Sequence, residues 1–153
     1  FYLHHCFKEG MTELERRRLN GIVSKLLIVD DTDMLDRTVS AVKEVGIYDI
    51  HSCTDLSNVI NAVVQESPDL LVLRHELKNS VGFDVLKRVR QDGIEQKTIV
   101  CGRTSDNEVY EKYSKYDDVW YYLHMPHDHQ LRDWVEKALN GIKGRNLKDF
   151  YVP

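Results

Sequence analysis

The stretch PDLLVLRHELKNSVGFDVLKRVR, residues 68–90, contains the pattern that decides the fold of this chain. An apolar run over residues 70–73 stops abruptly at a polar tip that begins with Arg74. A short loop then leads into residues 82–93, where apolar side chains recur at the spacing of one helical face. A strand that is apolar throughout is typical of a parallel sheet covered on both faces, so this stretch predicts a βα unit.

Strand-like and helix-like segments alternate in the same way from residue 25 onward. The strand-like segments are KLLIVDD (25–31), YDIHSC (48–53), DLLVL (69–73), KTIVCG (97–102) and VWYYLH (119–124). The helix-like segments are residues 33–46, 55–67, 82–93, 105–118 and 128–142. Five such units predict an α/β fold, in which helices cover both faces of an open, doubly wound, five-stranded parallel sheet.

The two ends of the chain are separate from this pattern. TELERRRLNGIV opens with the capping-box spacing from Thr12 to Glu15 and predicts an extra N-terminal helix. The chain does not begin with Met, which indicates a piece of a longer protein with Met11 as a candidate original start. We therefore expect a leader and helix over residues 1–24, one domain over 25–142, and an extension or linker over 143–153.

Composition argues against several classes of function. The net charge of −4 does not favour a nucleic-acid-binding surface, so we expect such contacts only through a domain that is not present here. No apolar run approaches the roughly 20 residues that a membrane span needs. The three cysteines are odd in number and widely spaced, which favours a reduced, cytoplasmic protein over a disulfide framework.

The strongest chemical feature is the pair of acids, Asp30 and Asp31, that follows the first strand. Ligands bind at the carboxyl ends of the strands in a doubly wound sheet. Adjacent carboxylates repel each other unless a cation or a hydrogen-bond donor neutralises them, and Mg²⁺ prefers such oxygens. Asp31 or Asp33 could instead cap the next helix, and the residues alone leave both interpretations open.

In this order and spacing, LLIVDD, SPDLLVL, GFDVLKRVR, TIVCGRTSDNE and DDVWYYLHMP resemble the receiver domain of two-component response regulators. The resemblance covers Lys25 to about Ile142. It implies a flavodoxin-like strand order of 2-1-3-4-5, which agrees with the pattern of segments. It also implies that an aspartate at the tip of the third strand accepts a phosphoryl group, with Mg²⁺ bridging it to the acidic pair.

Only the acidic pair matches the groups that carry out this reaction. Arg74 stands at the acceptor position, and a protonated guanidinium is a poor nucleophile. Gly102 stands at the position of a Thr or Ser, with Thr104 as a possible stand-in, and Met125 stands at the position of a Lys. The resemblance therefore implies a pseudo-receiver with no catalytic residue and no cofactor. Its degenerate pocket comprises Asp30, Asp31, Arg74, Gly102, Thr104 and Met125.

Arg74 suggests how such a pocket is stabilised. We expect its guanidinium to satisfy Asp30 and Asp31 through forked hydrogen bonds and to supply the positive charge that Mg²⁺ supplies in active receivers. The two acids are then only a weak candidate Mg²⁺ site. The competing interpretation is an exposed arginine without a partner.

An aromatic cluster near the end of the chain suggests an interaction surface. Its members are Tyr110, Tyr113, Tyr116, Trp120, Tyr121 and Tyr122. Tyr and Trp are enriched at protein interfaces, although half of these rings could equally belong to the core. In receivers the face formed by the fourth helix, fifth strand and fifth helix commonly mediates dimerisation or output binding, and the position of Tyr122 senses activation.

We therefore expect a signalling module that acts independently of phosphorylation, is not an enzyme and contacts a protein partner or a second copy. Its setting would be bacterial two-component signalling, phosphorelay or transcription regulation. One alternative is a true phosphoacceptor receiver with an atypical site such as Glu76 or Asp84. The other is an α/β domain that binds a small ligand with a metal.

Overall fold

A parallel sheet of five strands forms the centre of the computed structural model, which describes residues 10–43, 48–78 and 80–143. Its strands are β1 (Lys25–Val29), β2 (Asp49–Cys53), β3 (Leu70–Arg74), β6 (Thr98–Gly102) and β7 (Val119–His124). A short antiparallel hairpin, β4 (Glu76–Leu77) and β5 (Ser80–Val81), follows β3. The helices of the described residues are α1 (Glu13–Leu19), α2 (Thr32–Lys43), α3 (Leu56–Glu66), α4 (Gly82–Gln91), α5 (Asn107–Ser114) and α6 (Asp128–Leu139).

The strand order is β2-β1-β3-β6-β7, and every neighbouring pair is parallel. With the hairpin set aside, this is the predicted order 2-1-3-4-5, so the predicted fold class is confirmed. Val29 lies opposite Leu73 in the register of β1 and β3. Asp30, which follows β1, and Arg74, which ends β3, therefore lie side by side at the carboxyl edge of the sheet.

Each face of the sheet carries its own core. Leu26 and Ile28 pack with residues of α1, α2 and α6, whereas Leu27 and Val29 pack with residues of α3, α4 and α5. Side chains alternate between faces along a strand, so a strand covered on both faces must be apolar at every position. This is why residues 26–29 and 70–73 contain no polar side chain.

The predicted N-terminal helix is present as α1. The Thr12 hydroxyl accepts a hydrogen bond from Glu15 N at 3.1 Å, as the capping box requires. Leu14 is 1% exposed, and its backbone N donates to Asn140 Oδ1 at 2.7 Å, so α1 is anchored beside the end of α6. Within the described ranges, every helix is too short or too polar to cross a lipid bilayer.

Several sequence expectations lie outside the described residues. They are the leader at residues 1–9, the end of the first βα helix at residues 44–46, and most of the extension at residues 144–153. The expected division of the chain into domains therefore stays a prediction.

Candidate functional site

The candidate site is built around a buried ion pair at the carboxyl edge of the sheet. Arg74 is the last residue of β3, and its Nε donates to Asp30 Oδ1 at 3.1 Å. Its Nη2 donates to Asp30 Oδ2 at 3.2 Å, which completes a forked arrangement. The side chain of Asp30 is 2% exposed and that of Arg74 is 13% exposed, so both charges lie largely out of water. Burial alone would lower the pKa of Arg74, but the hydrogen bond and the charge of Asp30 raise it, so the guanidinium stays charged.

Two further donors complete the surroundings of Asp30. The Thr38 hydroxyl donates to Oδ2 at 2.7 Å, and the backbone N of Asp31 donates to Oδ1 at 2.7 Å. A carboxylate offers about four lone-pair positions, and these donors together with the Arg74 fork use all of them. Asp30 is therefore fully hydrogen-bonded by groups of the chain itself.

These residues do not fit a Mg²⁺ ion. An ion at Asp30 would have to displace existing donors and lie beside the guanidinium of Arg74, whose charge repels it. The remaining acid, Asp31, already accepts a hydrogen bond at Oδ1 from the backbone N of Lys78, at 2.8 Å. The described part of the chain contains no group of three or more His, Cys, Asp or Glu side chains that could hold a metal.

The expected pairing of Arg74 with both acids needs a correction at Asp31. The fork goes to Asp30 alone, and Asp31 instead bonds to the loop that contains Lys78. The physical reason is the register, because Asp30 lies beside Arg74 whereas the chain turns into α2 directly after Asp31. The role of Thr38 was not expected from the sequence, although Thr38 is a polar residue on the apolar stripe of α2.

Gly102 is the last residue of β6, and the side chain of Tyr122 fills the space where a side chain at residue 102 would lie. A Cβ atom at this position would overlap the hydroxyl of Tyr122 and lie 3.0 Å from its Cζ and 3.2 Å from Cβ of His75. Tyr122 is 0% exposed, and its hydroxyl donates to the carbonyl of Thr104 at 3.0 Å. The lack of a side chain at residue 102 is therefore what allows the ring of Tyr122 to lie here.

A carboxylate from the hairpin fixes the loop after β6. Glu76 accepts hydrogen bonds from the backbone N of Arg103 at 2.9 Å and 3.0 Å and from that of Thr104 at 3.1 Å. The Thr104 hydroxyl accepts from the backbone N of Asp106 at 3.1 Å, next to the start of α5. Thr104 thus serves the local turn, and the role of Glu76 in the same loop was not expected from the sequence.

Met125 brings no charge to the site. Its side chain is 62% exposed, and its φ of 44° places the backbone in the left-handed region. Its backbone N donates to the carbonyl of Gly102 at 2.9 Å, which ties the loop after β7 to the end of β6. Met125 and Pro126 line a cleft of about 300 Å³ that also reaches Asp30 and Arg74.

The expectation of an aromatic interaction surface is wrong for four of its six residues. Tyr110, Tyr113, Tyr121 and Tyr122 are at most 1% exposed and belong to the core. Their hydroxyls are satisfied internally, as in the 2.5 Å contact between the Tyr113 hydroxyl and Nδ1 of the buried His75.

The other two aromatic residues, Tyr116 and Trp120, are partly buried. Each lies beneath a cation, with the Arg90 guanidinium 4.7 Å from the Tyr116 ring and Lys97 Nζ 4.1 Å from the Trp120 ring. These two rings are the members of the cluster that keep some exposed surface.

Known proteins share this fold. The sequence profile of the response regulator receiver domain matches residues 26–135. The nitrate/nitrite response regulator protein homolog of Haemophilus influenzae is 28% identical over 93 residues, which cover 56% of this chain and 43% of that protein. The chain therefore spans less than half the length of this relative.

Solved receiver structures show the same architecture. A LuxR-family two-component response regulator from Aurantimonas has a TM-score of 0.73 at 14% identity, covering 84% of this chain and 94% of that chain. A LuxR-family DNA-binding response regulator from Staphylococcus aureus has a TM-score of 0.68 at 21% identity, covering 77% and 100%. A CheY-like receiver domain protein from Methanospirillum hungatei has a TM-score of 0.67 at 20% identity, covering 78% and 95%. Identities this low show the fold alone, but the sequence profile spans well over half of the chain. The chain therefore belongs to the response regulator receiver domain family, a family of signalling modules rather than enzymes.

Proposed function

We propose that this chain is a pseudo-receiver, a receiver domain that acts through protein–protein interaction without accepting a phosphoryl group. The observation that carries the proposal is the Arg74–Asp30 pair. The acceptor position holds a guanidinium, and the buried acid that would help to hold Mg²⁺ has its lone pairs occupied by the chain itself. Arg74 takes over the charge that the metal supplies in active receivers.

Two further contacts support a domain held in one state. Tyr122, at the position that senses activation in receivers, is buried in the space above Gly102 and bonded to Thr104. Glu76 holds the same loop through the backbone N of Arg103 and of Thr104. The loop after β6 is thus held by both Glu76 and Tyr122, and the ring of Tyr122 is enclosed by the core. These contacts leave little freedom for a rearrangement driven by phosphorylation.

The partner side of the proposal is a surface formed by α5, β7 and α6. Tyr116 is partly exposed on the α5 side of this surface and Trp120 on the α6 side, which suits a protein partner or a second copy of this chain. We place the domain in the cytoplasm, in a two-component pathway that regulates transcription, with nucleic acid contacted only by another domain. The DNA-binding response regulator among its structural relatives is consistent with this setting.

The carboxylates considered as atypical acceptors are both engaged in local structure. Glu76 accepts from the loop after β6, and Asp84 Oδ2 accepts from the backbone N of Val81 at 3.3 Å near the start of α4. A phosphoryl group on Glu76 would take one of the two oxygens that hold the loop, and one on Oδ2 of Asp84 would displace its hydrogen bond from Val81, which supports the pseudo-receiver over the atypical acceptor.

Intact-mass spectrometry after incubation with acetyl phosphate and Mg²⁺ tests the proposal. We expect no added mass, while a receiver with an aspartate at the acceptor position, treated in parallel, gains one phosphoryl group. A stable gain of one phosphoryl group by this chain would overturn the proposal. Loss of that gain in Glu76→Gln or Asp84→Asn would then identify the atypical acceptor.

A further inference from the structure

A groove of about 650 Å³ lies between α4 and α5, away from the Arg74 site. Phe83 and Tyr116, both partly buried, contribute apolar surface to its lining. The helices α4 and α5 belong to the core on one face of the sheet, whereas α2 and α6 belong to the core on the other. We call this feature the basic groove, for the charges that surround it.

Four cations line the basic groove. Lys87 and Arg90 come from α4, Lys112 comes from α5, and Lys115 directly follows α5. Each pair is spaced three residues apart, which places its two members on the same side of the chain. One acid, Asp84, also lines the groove, so positive charge dominates there although the chain carries a net charge of −4.

The internal partners of these cations leave much of their charge available. The Lys112 ammonium lies 5.3 Å from the ring centroid of Phe83. Arg90 lies above the Tyr116 ring, and its Nη2 is 3.9 Å from Asp118 Oδ1. Within the described part of the chain, neither Lys87 nor Lys115 forms an ion pair.

The single acid is already engaged. Asp84 accepts a hydrogen bond from the backbone N of Val81, at the start of α4. A ligand that enters the groove therefore meets exposed ammonium groups at the rim and aromatic carbon below them. This is the complement of a chain segment that carries carboxylates beside an apolar side chain.

We propose that the basic groove binds an acidic peptide segment of a partner protein, with an apolar side chain against Phe83 and Tyr116. Charge complementarity gives such a surface its specificity and speeds association. A single-stranded nucleic acid suits the groove less well, because a cation of this chain lies over each ring. A stacking base needs the whole ring face, whereas an apolar side chain of a peptide can contact the ring edge. The inference names a partner class for the interaction module proposed above and rests on that proposal.

Fluorescence anisotropy with a labelled peptide tests the basic groove. The probe is a twelve-residue peptide of Asp and Glu around one central Trp, and its Asn and Gln counterpart is the neutral control. We expect binding of the acidic peptide to weaken about tenfold in the double variant Lys87→Glu/Lys115→Glu. Raising the salt concentration should also weaken it, because screening reduces the attraction between exposed charges.

A matched control makes the same change of charge on the opposite face. Arg37 and Lys43 are exposed on α2, and the variant Arg37→Glu/Lys43→Glu should bind the acidic peptide within twofold of the parent. Thermal melts of both double variants check that the fold is retained, and the salt dependence of the parent protein supports the inference without any substitution.

Three outcomes would overturn the inference. They are no binding of the acidic peptide by the parent, equal weakening in the two double variants, and tighter binding of an oligothymidine strand than of the peptide. Phosphoryl uptake is measured separately by mass. A failure of peptide binding is therefore distinguishable from a failure of the pseudo-receiver proposal.

Discussion

Arg74→Ala is the substitution that tests the site most directly. It would leave Asp30, 2% exposed, without its cation. Removing one partner of a buried pair destabilises a protein by about 3–5 kcal/mol. Asp30 would keep its hydrogen bonds from Thr38 and from the backbone of Asp31, and the adjacent cleft of about 300 Å³ can admit water. We therefore expect the lower end, about 3 kcal/mol, which for a chain of this size corresponds to a fall in melting temperature of roughly 6–12 °C.

Urea denaturation followed by circular dichroism measures this loss in a double-mutant cycle. The cycle compares the parent, Arg74→Ala, Asp30→Ala and the double variant. The double variant should lose much less than the sum of the single losses, because it leaves no unpaired buried charge. Arg103→Ala is the matched control, because Arg103 is exposed nearby and its side chain forms no ion pair among the described residues. A loss below about 0.5 kcal/mol for Arg74→Ala, as for an ordinary surface change, would refute the reasoning.

Three further predictions use other parts of the site. Gly102→Ala should lower the free energy of unfolding by about 1–3 kcal/mol, because the added Cβ overlaps the Tyr122 hydroxyl. The loss measured by urea denaturation should shrink in a Tyr122→Phe background, and equal losses in both backgrounds would contradict this. Burial lowers the pKa of His75, with Lys112 adding to the shift and Glu76 opposing it, so below about pH 6.5 the unfolded chain binds more protons at this residue than the folded one. The contribution of His75 to the free energy of unfolding is therefore present at pH 7 and declines as the pH falls below about 6.5. In urea titrations at several pH values, His75→Gln should lose less stability below pH 6.5 than the parent does. Arg74→Asp should lower the melting temperature, and added Mg²⁺ should raise the melting temperature of this variant. No change in its melting temperature with Mg²⁺ would argue that Arg74 does not replace the charge of the metal.

The sequence alone determined the order of the elements and the residues at the strand tips. Residues 26–29 and 70–73 had to be central strands because each is apolar at every position. Once the strands were parallel, Asp30, Arg74 and Gly102 had to meet at one edge. Local composition was sufficient to predict these features, because side chains alternate between the two faces along a strand and a central parallel strand must be apolar on both faces.

Only the tertiary structure decided how those tips pair and which aromatic rings are buried. Because of the register of β1 against β3, Arg74 donates its hydrogen bonds to Asp30, whereas Asp31 accepts one from the backbone N of Lys78. The spacing of Tyr110 and Tyr113 suits an interface and a core equally well, because a tyrosine has an apolar body and one polar atom. Contacts with residues distant in sequence, such as the one between Tyr113 and His75, placed these rings inside, and periodicity along the chain carries no information about such contacts.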